Sequence, residues 1–490
     1  MQSIVKIMSI GTRGKRIISR LGGIKKQLLS LPNSADSRQS SDILTFEAEE
    51  FCPAMSHPSS PGPLSRRSFL STSTAVGAGF AVTPVLRANE KTNLAWIGVG
   101  IRGNYLLDMF YESGLSAQAQ VVAICDAYKG YQERAKNKVI SKENKSPKIY
   151  DDYRELLANP GIDAIVIATP EHLHHAMTLA ALNSKKHIYL EKPLAHTIEQ
   201  GNAIVKAAEA SGKVVQVGMQ NRSNSLYQKA KEMVQQGMIG NVHYVRAFWY
   251  RNDVPSRPIW RYPIPKDATP QNTDWDRFLE DAPKRAWDPR RFFQWRLYWD
   301  YSGGIATDLL VHQTDITNFV CGKTSPLSCF ASGGIHKWTE TGDDREVPDT
   351  FSAIYEYPDK FQILYSSYFG NEHYGFGEQF MGDEGTIEVI SRQYLNFYPE
   401  AYTNRAATPE LIPQQARARK PEQVALPKND NKAVQAHLHN WFDAIRGEAQ
   451  TSAPPRAGQQ AAVTGHLANL SFKAQKKILW DEAGQAYSFI

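Results

Sequence analysis

The chain has 490 residues and a net charge of +6, and all of that excess falls in residues 1–88. The remaining residues are formally neutral, which excludes the broad basic surface that binding of nucleic acid requires. No stretch reaches the roughly 18 apolar residues of a membrane-spanning helix, so we expect no membrane span in the mature chain.

Residues 1–88 are interpreted as a mostly disordered leader. Ser65-Arg66-Arg67-Ser68-Phe69-Leu70 resembles a twin-arginine export signal, and a weakly apolar run and a cleavage site at Leu86-Arg87-Ala88 follow in the right order. The alternative is a chance Arg-Arg pair in a linker. The order of the three features favours export to the periplasm. A start at Met55 gives a signal of ordinary length, so residues 1–54 are either an artefact or a disordered extension.

A nucleotide-binding pattern begins after the leader. A short apolar strand at Asn93–Ile97 leads into a G-x-G-x-x-G turn, and helical spacing follows over Asn104–Glu112. In this context glycines allow a tight turn, close approach of a pyrophosphate and close packing of helix on strand. The turn residues predicted to contact a dinucleotide are Gly98, Gly100, Ile101, Arg102 and Gly103.

The second strand, Gln120–Cys125, ends at Asp126. A carboxylate at this point accepts hydrogen bonds from the ribose hydroxyls of NAD and repels a 2′-phosphate. The cofactor is therefore predicted to be NAD, with NADP kept as an alternative because Lys129 lies nearby.

Strands and helices continue to alternate up to residue 220, which predicts a doubly wound parallel sheet in residues 89–220. The further predicted elements are strands at Asp163–Ala168, His187–Leu190 and Val214–Val217, and helices at Glu171–Asn183 and Thr197–Ala210.

Residues 221–490 are predicted to form an α+β domain with a large, mostly antiparallel sheet. Ala401–Asn431 is polar and rich in Pro, Gln and Ala, which indicates a surface loop, and closing helices are expected over residues 432–478. The predicted strands are Val242–Tyr250, Thr350–Tyr357, Gln362–Tyr368 and Gly385–Ile390.

The four cysteines, Cys52, Cys125, Cys321 and Cys329, form no C-x-x-C pair. This argues against a zinc ribbon or a thioredoxin-type site. Three cysteines in the body also argue against a disulfide framework, although a Cys321–Cys329 bridge stays open.

Three further motifs resemble the Gfo/Idh/MocA family, named for glucose–fructose oxidoreductase and inositol dehydrogenase. They follow the glycine turn in the family's order, and the similarity runs from about Asn93 to the C-terminus. The segments that carry it are Ala168-Thr169-Pro170-Glu171-His172-Leu173-His174, Glu191-Lys192-Pro193-Leu194, and Gly303-Gly304 followed by the D-x-x-x-H pair Asp308 and His312.

The resemblance implies that His312 takes the proton of a substrate hydroxyl while hydride passes to the nicotinamide, with Lys192 and Asp308 orienting the substrate. It also implies a small carbohydrate substrate, no metal and a homo-oligomer, either a dimer or a tetramer. Taken singly, Glu191-Lys192 is equally typical of a surface ion pair, and Asp308 with His312 of a salt bridge within a helix. The further residues that it places at the cofactor are Thr169, Pro170, His172, His174, Glu191, Lys192 and Gln220.

Six of the ten tryptophans lie between Trp249 and Trp299, in a segment rich in Arg, Pro and Tyr. Aromatic faces stack on the C–H faces of sugars and arginines bind hydroxyls, although most of these rings are expected in the core. Leu310 stands where many relatives have glycine, which predicts a bulkier pocket wall. The residues predicted to contact substrate are Trp249, Arg251, Arg296, Trp299 and Tyr301.

Three functions remain open on the sequence. The first is an oxidoreductase that transfers hydride from a secondary hydroxyl of a sugar or polyol to tightly held NAD. The second is an NAD-assisted glycoside hydrolase or lyase that works through a transient 3-keto sugar with the same residues. The third is a sugar-binding protein without catalysis, since fold alone does not fix function.

Overall fold

The computed structural model describes residues 91–254, 256–339, 342–400, 419–428 and 430–490. The leader with its twin-arginine motif and Cys52 lies outside the described residues, as does most of the predicted loop at Ala401–Asn431.

The N-terminal part contains a parallel six-stranded sheet, as predicted. Its strand order is β3-β2-β1-β4-β5-β6, so the winding reverses between β1 and β4, where ligands bind in doubly wound folds. Buried residues fill both faces, as a sheet covered on both sides requires. The strands are β1 Thr92–Ile97, β2 Ala119–Cys125, β3 Lys148–Tyr150, β4 Ala164–Ile167, β5 His187–Leu190 and β6 Val215–Val217.

Helices connect these parallel strands. In α5 the Thr197 side chain accepts a hydrogen bond from the Gln200 amide, and Gly212 ends the helix in a left-handed conformation. The predicted helix at Glu171–Asn183 begins instead with a short 3-10 turn, Glu171–Leu173. The helices are α1 Ile101–Glu112, α2 Lys129–Glu143, α3 Tyr153–Leu157, α4 His174–Asn183 and α5 Ile198–Ser211.

A second, ten-stranded sheet dominates the C-terminal part. Among the described strands of this sheet, only β7 and β10 pair in parallel, and the remaining pairs are antiparallel, which confirms the predicted fold class. Alternate residues of β9 and β10 are buried, so one face packs on helices. The strands are β7 Val242–Tyr250, β8 Ser328–Gly334, β9 Thr350–Tyr357, β10 Phe361–Tyr368, β11 Phe376–Gly382, β12 Gly385–Ile390, β13 Tyr394–Pro399, β14 Glu422–Ala425, β15 Ile478–Asp481 and β16 Ala486–Phe489.

The last two helices of the chain both pack on the nucleotide-binding part. Trp441 and Phe442 of α10 are buried against Phe110 of α1, so this helix completes the core of the nucleotide-binding part although the predicted division at residue 221 assigns it to the second domain. The helices of this half are α6 Ser225–Gln235, α7 Trp275–Leu279, α8 Pro289–Phe293, α9 Val311–Cys321, α10 Lys432–Ile445 and α11 Pro455–Ala474.

Two further expectations require correction. The predicted loop at Ala401–Asn431 contains a short edge strand, β14, whose pairing with β13 the polar composition did not indicate. Cys321 and Cys329 are free thiols, so the bridge between them is not formed. Among the described residues, no helix is both long enough and apolar enough to cross a membrane.

Candidate active site

A cavity of about 410 Å³ lies where the first sheet reverses its winding and faces the second sheet. Residues that follow β1, β2, β4 and β5 line one side, and side chains from the C-terminal half line the other. Both groups of predicted site residues therefore meet in one place.

The glycine turn is shaped for close approach of a dinucleotide. Gly98 has a φ of 84°, and a Cβ there would lie 2.8 Å from the Ala168 carbonyl. The first helical turn of α1 begins after Gly100 with no side-chain cap, which leaves its amides free for an anion. The residues present fit a bound NAD pyrophosphate, with Gly98, Gly100, Ile101 and Arg102 lining the cavity.

Gly103 does not line the cavity but sets how closely α1 packs on the strand. A Cβ at this position would lie 2.0 Å from the Gly98 carbonyl oxygen. Gly103→Ala is expected to lower the free energy of unfolding by about 3 kcal/mol and to weaken NAD binding, because backbone must move. Denaturant unfolding and NAD titration measure both effects. Gly161→Ala, which meets only the Asn159 side-chain oxygen, is the control, and an equal loss there would contradict the packing argument.

Asp126 lines the cavity at the end of β2. Its Oδ2 accepts a hydrogen bond from the Val99 amide at 2.7 Å and its Oδ1 from the Tyr128 amide at 2.9 Å. Burial raises the pKa of Asp126 to about 6, although these amides oppose the shift. The carboxylate thus braces the glycine turn as well as facing the predicted ribose site.

NAD affinity is expected to fall as pH drops through about 6. Below that pKa the Asp126 carboxyl is protonated and accepts ribose hydroxyl protons more weakly; above it the carboxylate is charged and the affinity is full. Asp126→Asn is expected to bind NAD about tenfold more weakly at neutral pH and to lose this pH dependence. Calorimetric titration across the acid range measures it, with Glu133→Gln on the exposed side of α2 as control. An unchanged pH profile in Asp126→Asn would assign the titration elsewhere.

Arg102, the fifth residue of the glycine motif, reaches across to the β5 end. Its Nε donates to Glu191 Oε1 at 2.6 Å and its Nη2 donates to Gln220 Oε1 at 3.2 Å. Glu191 and Gln220 also line the cavity. This network ties three predicted cofactor residues together and keeps one guanidinium beside the glycine turn.

Lys192 and Asp308 meet inside the cavity although 116 positions separate them. Lys192 Nζ lies 3.0 Å from Asp308 Oδ1, and Arg296 Nε donates to the same oxygen at 3.1 Å. Burial alone would raise the pKa of Asp308, but the charges of Lys192 and Arg296 hold it well below its usual range. Asp308 is therefore a carboxylate shared by two cations.

His312 follows in α9 and lines the same cavity. Burial, then the positive charges of Lys192 and Arg392, lower the pKa of His312 well below its ordinary value. The imidazole is consequently neutral and able to accept a proton. Its ring centre lies 6.1 Å from that of Trp249.

A π-helical turn, Ala306–Leu310, precedes α9 and changes the angular spacing between Asp308 and His312. Asp308 is engaged by Lys192 and Arg296, and it forms no hydrogen bond with His312. The expectation about Leu310 was wrong. Leu310 is fully buried and does not line the cavity; Leu309 does. Leu310 therefore does not form the pocket wall.

Four predicted contact residues lie behind the cavity wall. His174 contacts the Pro193 and Thr169 carbonyls, and His172 Nε2 contacts the Phe278 carbonyl, so both position neighbouring loops. The Tyr301 ring packs on His172 and is fully buried, while the Trp299 ring stacks under Lys473 Nζ at 4.0 Å. Thr169 and Pro170, by contrast, line the cavity.

Trp249, Arg251 and Arg296 line the cavity, and their contact with substrate stays a prediction. Sequence reasoning missed Trp260 and Tyr262, which the aromatic segment contained, and Arg392, which no motif marked. In the part of the chain that the structure describes, no three His, Cys, Asp or Glu side chains converge as a metal site requires.

Two family profiles match the chain. The profile "Oxidoreductase family, NAD-binding Rossmann fold" matches residues 92–219, and "Oxidoreductase family, C-terminal alpha/beta domain" matches residues 275–479. Both are parts of the Gfo/Idh/MocA family, and together they take in the glycine turn, Lys192, Asp308 and His312.

Curated relatives and solved structures agree with this match. The chain is 27% identical over 204 residues to scyllo-inositol 2-dehydrogenase (NAD(+)) of Bacillus subtilis, covering 42% of this chain and 47% of the relative. It is 29% identical over 211 residues to an alpha-N-acetylgalactosaminidase of Shewanella oneidensis, covering 37% and 45%. The chain thus spans about half the length of the curated relatives it matches.

Levoglucosan dehydrogenase, solved with NADH and levoglucosan, superposes with a TM-score of 0.58 at 18% identity, covering 82% of this chain and 100% of that one. This similarity concerns the fold. The two profile matches identify both domains. The chain belongs to the Gfo/Idh/MocA family of oxidoreductases, with an NAD-binding Rossmann domain followed by the family's C-terminal α/β domain.

Proposed function

We propose that this protein oxidises a secondary hydroxyl of a sugar or polyol with NAD as the hydride acceptor. One observation carries the proposal: a neutral histidine and a Lys–Asp–Arg cluster open into the same cavity as the dinucleotide-type glycine turn. The inositol dehydrogenase among the relatives supports the choice of a polyol or sugar.

The protonation states of His312, Lys192 and Asp308 determine the role of each residue. His312 is neutral and accepts the hydroxyl proton of the substrate. Lys192 donates a hydrogen bond to the substrate oxygen, and Asp308 fixes the Lys192 ammonium in place. When bound, NAD supplies the hydride acceptor. Glu191, Gln220 and Arg102 hold the cofactor side of the cavity.

We also propose export by the twin-arginine route, on the strength of the Arg66-Arg67 motif. This route carries folded proteins, and free nicotinamide nucleotide is scarce outside the cytoplasm. The cofactor would then load before export and stay bound, which favours a closed cycle in which one substrate is oxidised and another reduced. A homo-oligomer remains a prediction.

Release of bound nucleotide from the purified protein tests whether the cofactor is tightly held, as the export proposal requires. The mature chain from residue 89 is denatured, and the supernatant is analysed by mass spectrometry. We expect near-stoichiometric NAD; NADP instead would correct the cofactor. An empty protein that binds NAD only weakly would contradict both the captive cofactor and the export proposal.

Glycoside cleavage is a second candidate, favoured by the similarity to an alpha-N-acetylgalactosaminidase. Oxidation at C3 of a sugar acidifies the C2 proton, and loss of that proton with the glycosidic group leaves a C1=C2 double bond. Water then adds across this bond, with its hydroxyl on C1 and its proton on C2, before hydride returns to C3. His312, Lys192 and Asp308 would serve both reactions. Product analysis separates them: a net ketone product supports the dehydrogenase, and free aglycone with no net redox change supports the hydrolase.

A further inference from the structure

Two arginines with no part in the proposed proton transfer line the cavity beside Trp249. The guanidinium carbon of Arg251 lies 4.9 Å from the centre of the Trp249 ring, and that of Arg392 lies 5.0 Å from it. The Trp249 ring is in turn 6.1 Å from the ring of His312. Both charges therefore lie beside the place where the reacting hydroxyl must sit.

Neither arginine forms an ion pair with a carboxylate in the described part of the chain. The Nε and Nη2 atoms of Arg392 are buried without a hydrogen-bond partner. Arg392 does lie near Tyr227 and Glu378, but Glu378 already accepts a hydrogen bond from the Tyr227 hydroxyl at 2.6 Å. Hydrogen-bonding capacity on Arg392 remains unused.

Positive charge is in excess at this end of the cavity. The Asp308 carboxylate accepts hydrogen bonds from both Lys192 and Arg296. It forms no hydrogen bond with Arg251 or Arg392. Burial and the nearby charge of Arg392 lower the pKa of Arg251, although Asp308 opposes the shift. Stacking on an aromatic ring offsets only part of the cost of a buried, unpaired guanidinium. An anion in the cavity would offset the rest.

The phosphates of NAD do not account for this charge. The glycine turn and the free amides of α1 serve a pyrophosphate, and they belong to the first sheet. Arg251 follows β7 and Arg392 follows β12, both in the second sheet. Their planar guanidinium groups suit the paired oxygens of a carboxylate or phosphate.

We infer that the substrate is a carbohydrate carrying an anionic group, which Arg251 and Arg392 bind while the sugar ring packs beside Trp249. This rests on the proposed function for the choice of a carbohydrate. A uronic acid and a sugar phosphate share the required chemistry, and the experiment separates them.

Calorimetric titration of the purified full chain with D-glucuronate, D-glucose 6-phosphate and D-glucose tests the inference. We expect one or both anionic sugars to bind at least about tenfold more tightly than glucose. Arg251→Gln and Arg392→Gln are each expected to lose about tenfold in that affinity. Arg246→Gln, on an exposed arginine of β7, is the matched control and is expected to bind like the parent protein.

The parent protein gives a second measurement that needs no variant: anionic sugar affinity should fall as salt rises, whereas glucose affinity should not. Glucose binding as tightly as both anions, binding of none of the three, or unchanged affinity in Arg251→Gln would overturn the inference. Turnover of neutral sugars alone would keep the proposed dehydrogenase and overturn the anionic substrate. Tight binding of glucuronate without any nucleotide reduction would keep the binding site for an anionic sugar and contradict the proposed dehydrogenase.

Discussion

His312→Asn is expected to lower kcat by about 10²–10⁴-fold. Removal of the proton acceptor leaves the substrate hydroxyl with no group to take its proton, while the glycine turn and Asp126 are untouched. NAD affinity should therefore stay within about twofold of the parent value. Steady-state kinetics and NAD titration measure the two quantities separately. His373→Asn, on an exposed loop, is the matched control.

The pH profile supplies an independent check on the same residue. Because burial and three nearby cations, Lys192, Arg392 and Arg102, lower the pKa of His312, the imidazole stays neutral as pH falls through the ordinary histidine range near 6.5. With NAD saturating, so that the titration of Asp126 does not limit cofactor binding, the acid limb of kcat/KM for the sugar substrate should consequently lie below that range. If His312→Asn retained full kcat, or if the acid limb lay at the ordinary histidine value, His312 would not be the base in the form described.

Asp308→Ala is expected to lower the free energy of unfolding by about 3–5 kcal/mol. The side chains of Asp308, Lys192 and Arg296 are 15%, 12% and 20% exposed, so loss of the carboxylate leaves two largely buried cations uncompensated. Denaturant unfolding of the full chain measures the change. Lys192→Met should cost less, because Asp308 keeps its bond to Arg296.

The control for this prediction is an exposed ion pair. Glu209 and Arg456 are 58% and 68% exposed, and Glu209→Gln is expected to change the unfolding free energy by less than about 1 kcal/mol. A loss in Asp308→Ala no greater than that in Glu209→Gln would show that solvent, rather than Asp308, balances the two cations.

The first sheet was predictable because its signals are local. The glycine turn, Asp126 and the alternating elements lie within stretches of about thirty residues, and period and turn chemistry decide them. The His187–Leu190 strand matches its prediction at both ends. The large second sheet was predictable in kind for the same reason, since alternate burial along β9 and β10 follows the pleat.

The rest of the site depends on contacts between distant residues. Arg392 reaches the cavity only because β11 and β12 form a hairpin against β7, and nothing local marks it. Trp299 and Tyr301 belong to the same aromatic segment as Trp249, but packing alone decides which ring faces the cavity. The prediction that Leu310 forms the pocket wall was wrong because no sequence pattern indicates the π-helical turn at Ala306–Leu310.

An anionic substrate would also change the basicity of His312. A bound anion beside Arg392 would weaken one of the charges that lower the pKa of His312, and the imidazole would become a stronger base once substrate is present. Proton transfer would then be favoured in the complex more than in the free protein.

The most direct test of the proposed oxidoreductase is a single-turnover experiment on the NAD-loaded protein. The protein is mixed with a panel of neutral and anionic sugars and polyols, and the absorbance of reduced nicotinamide is followed. We expect at least one of them to reduce the bound NAD in the parent protein and in His373→Asn but not in His312→Asn. Absence of reduction by every member of the panel, or equal reduction in His312→Asn, would contradict the account.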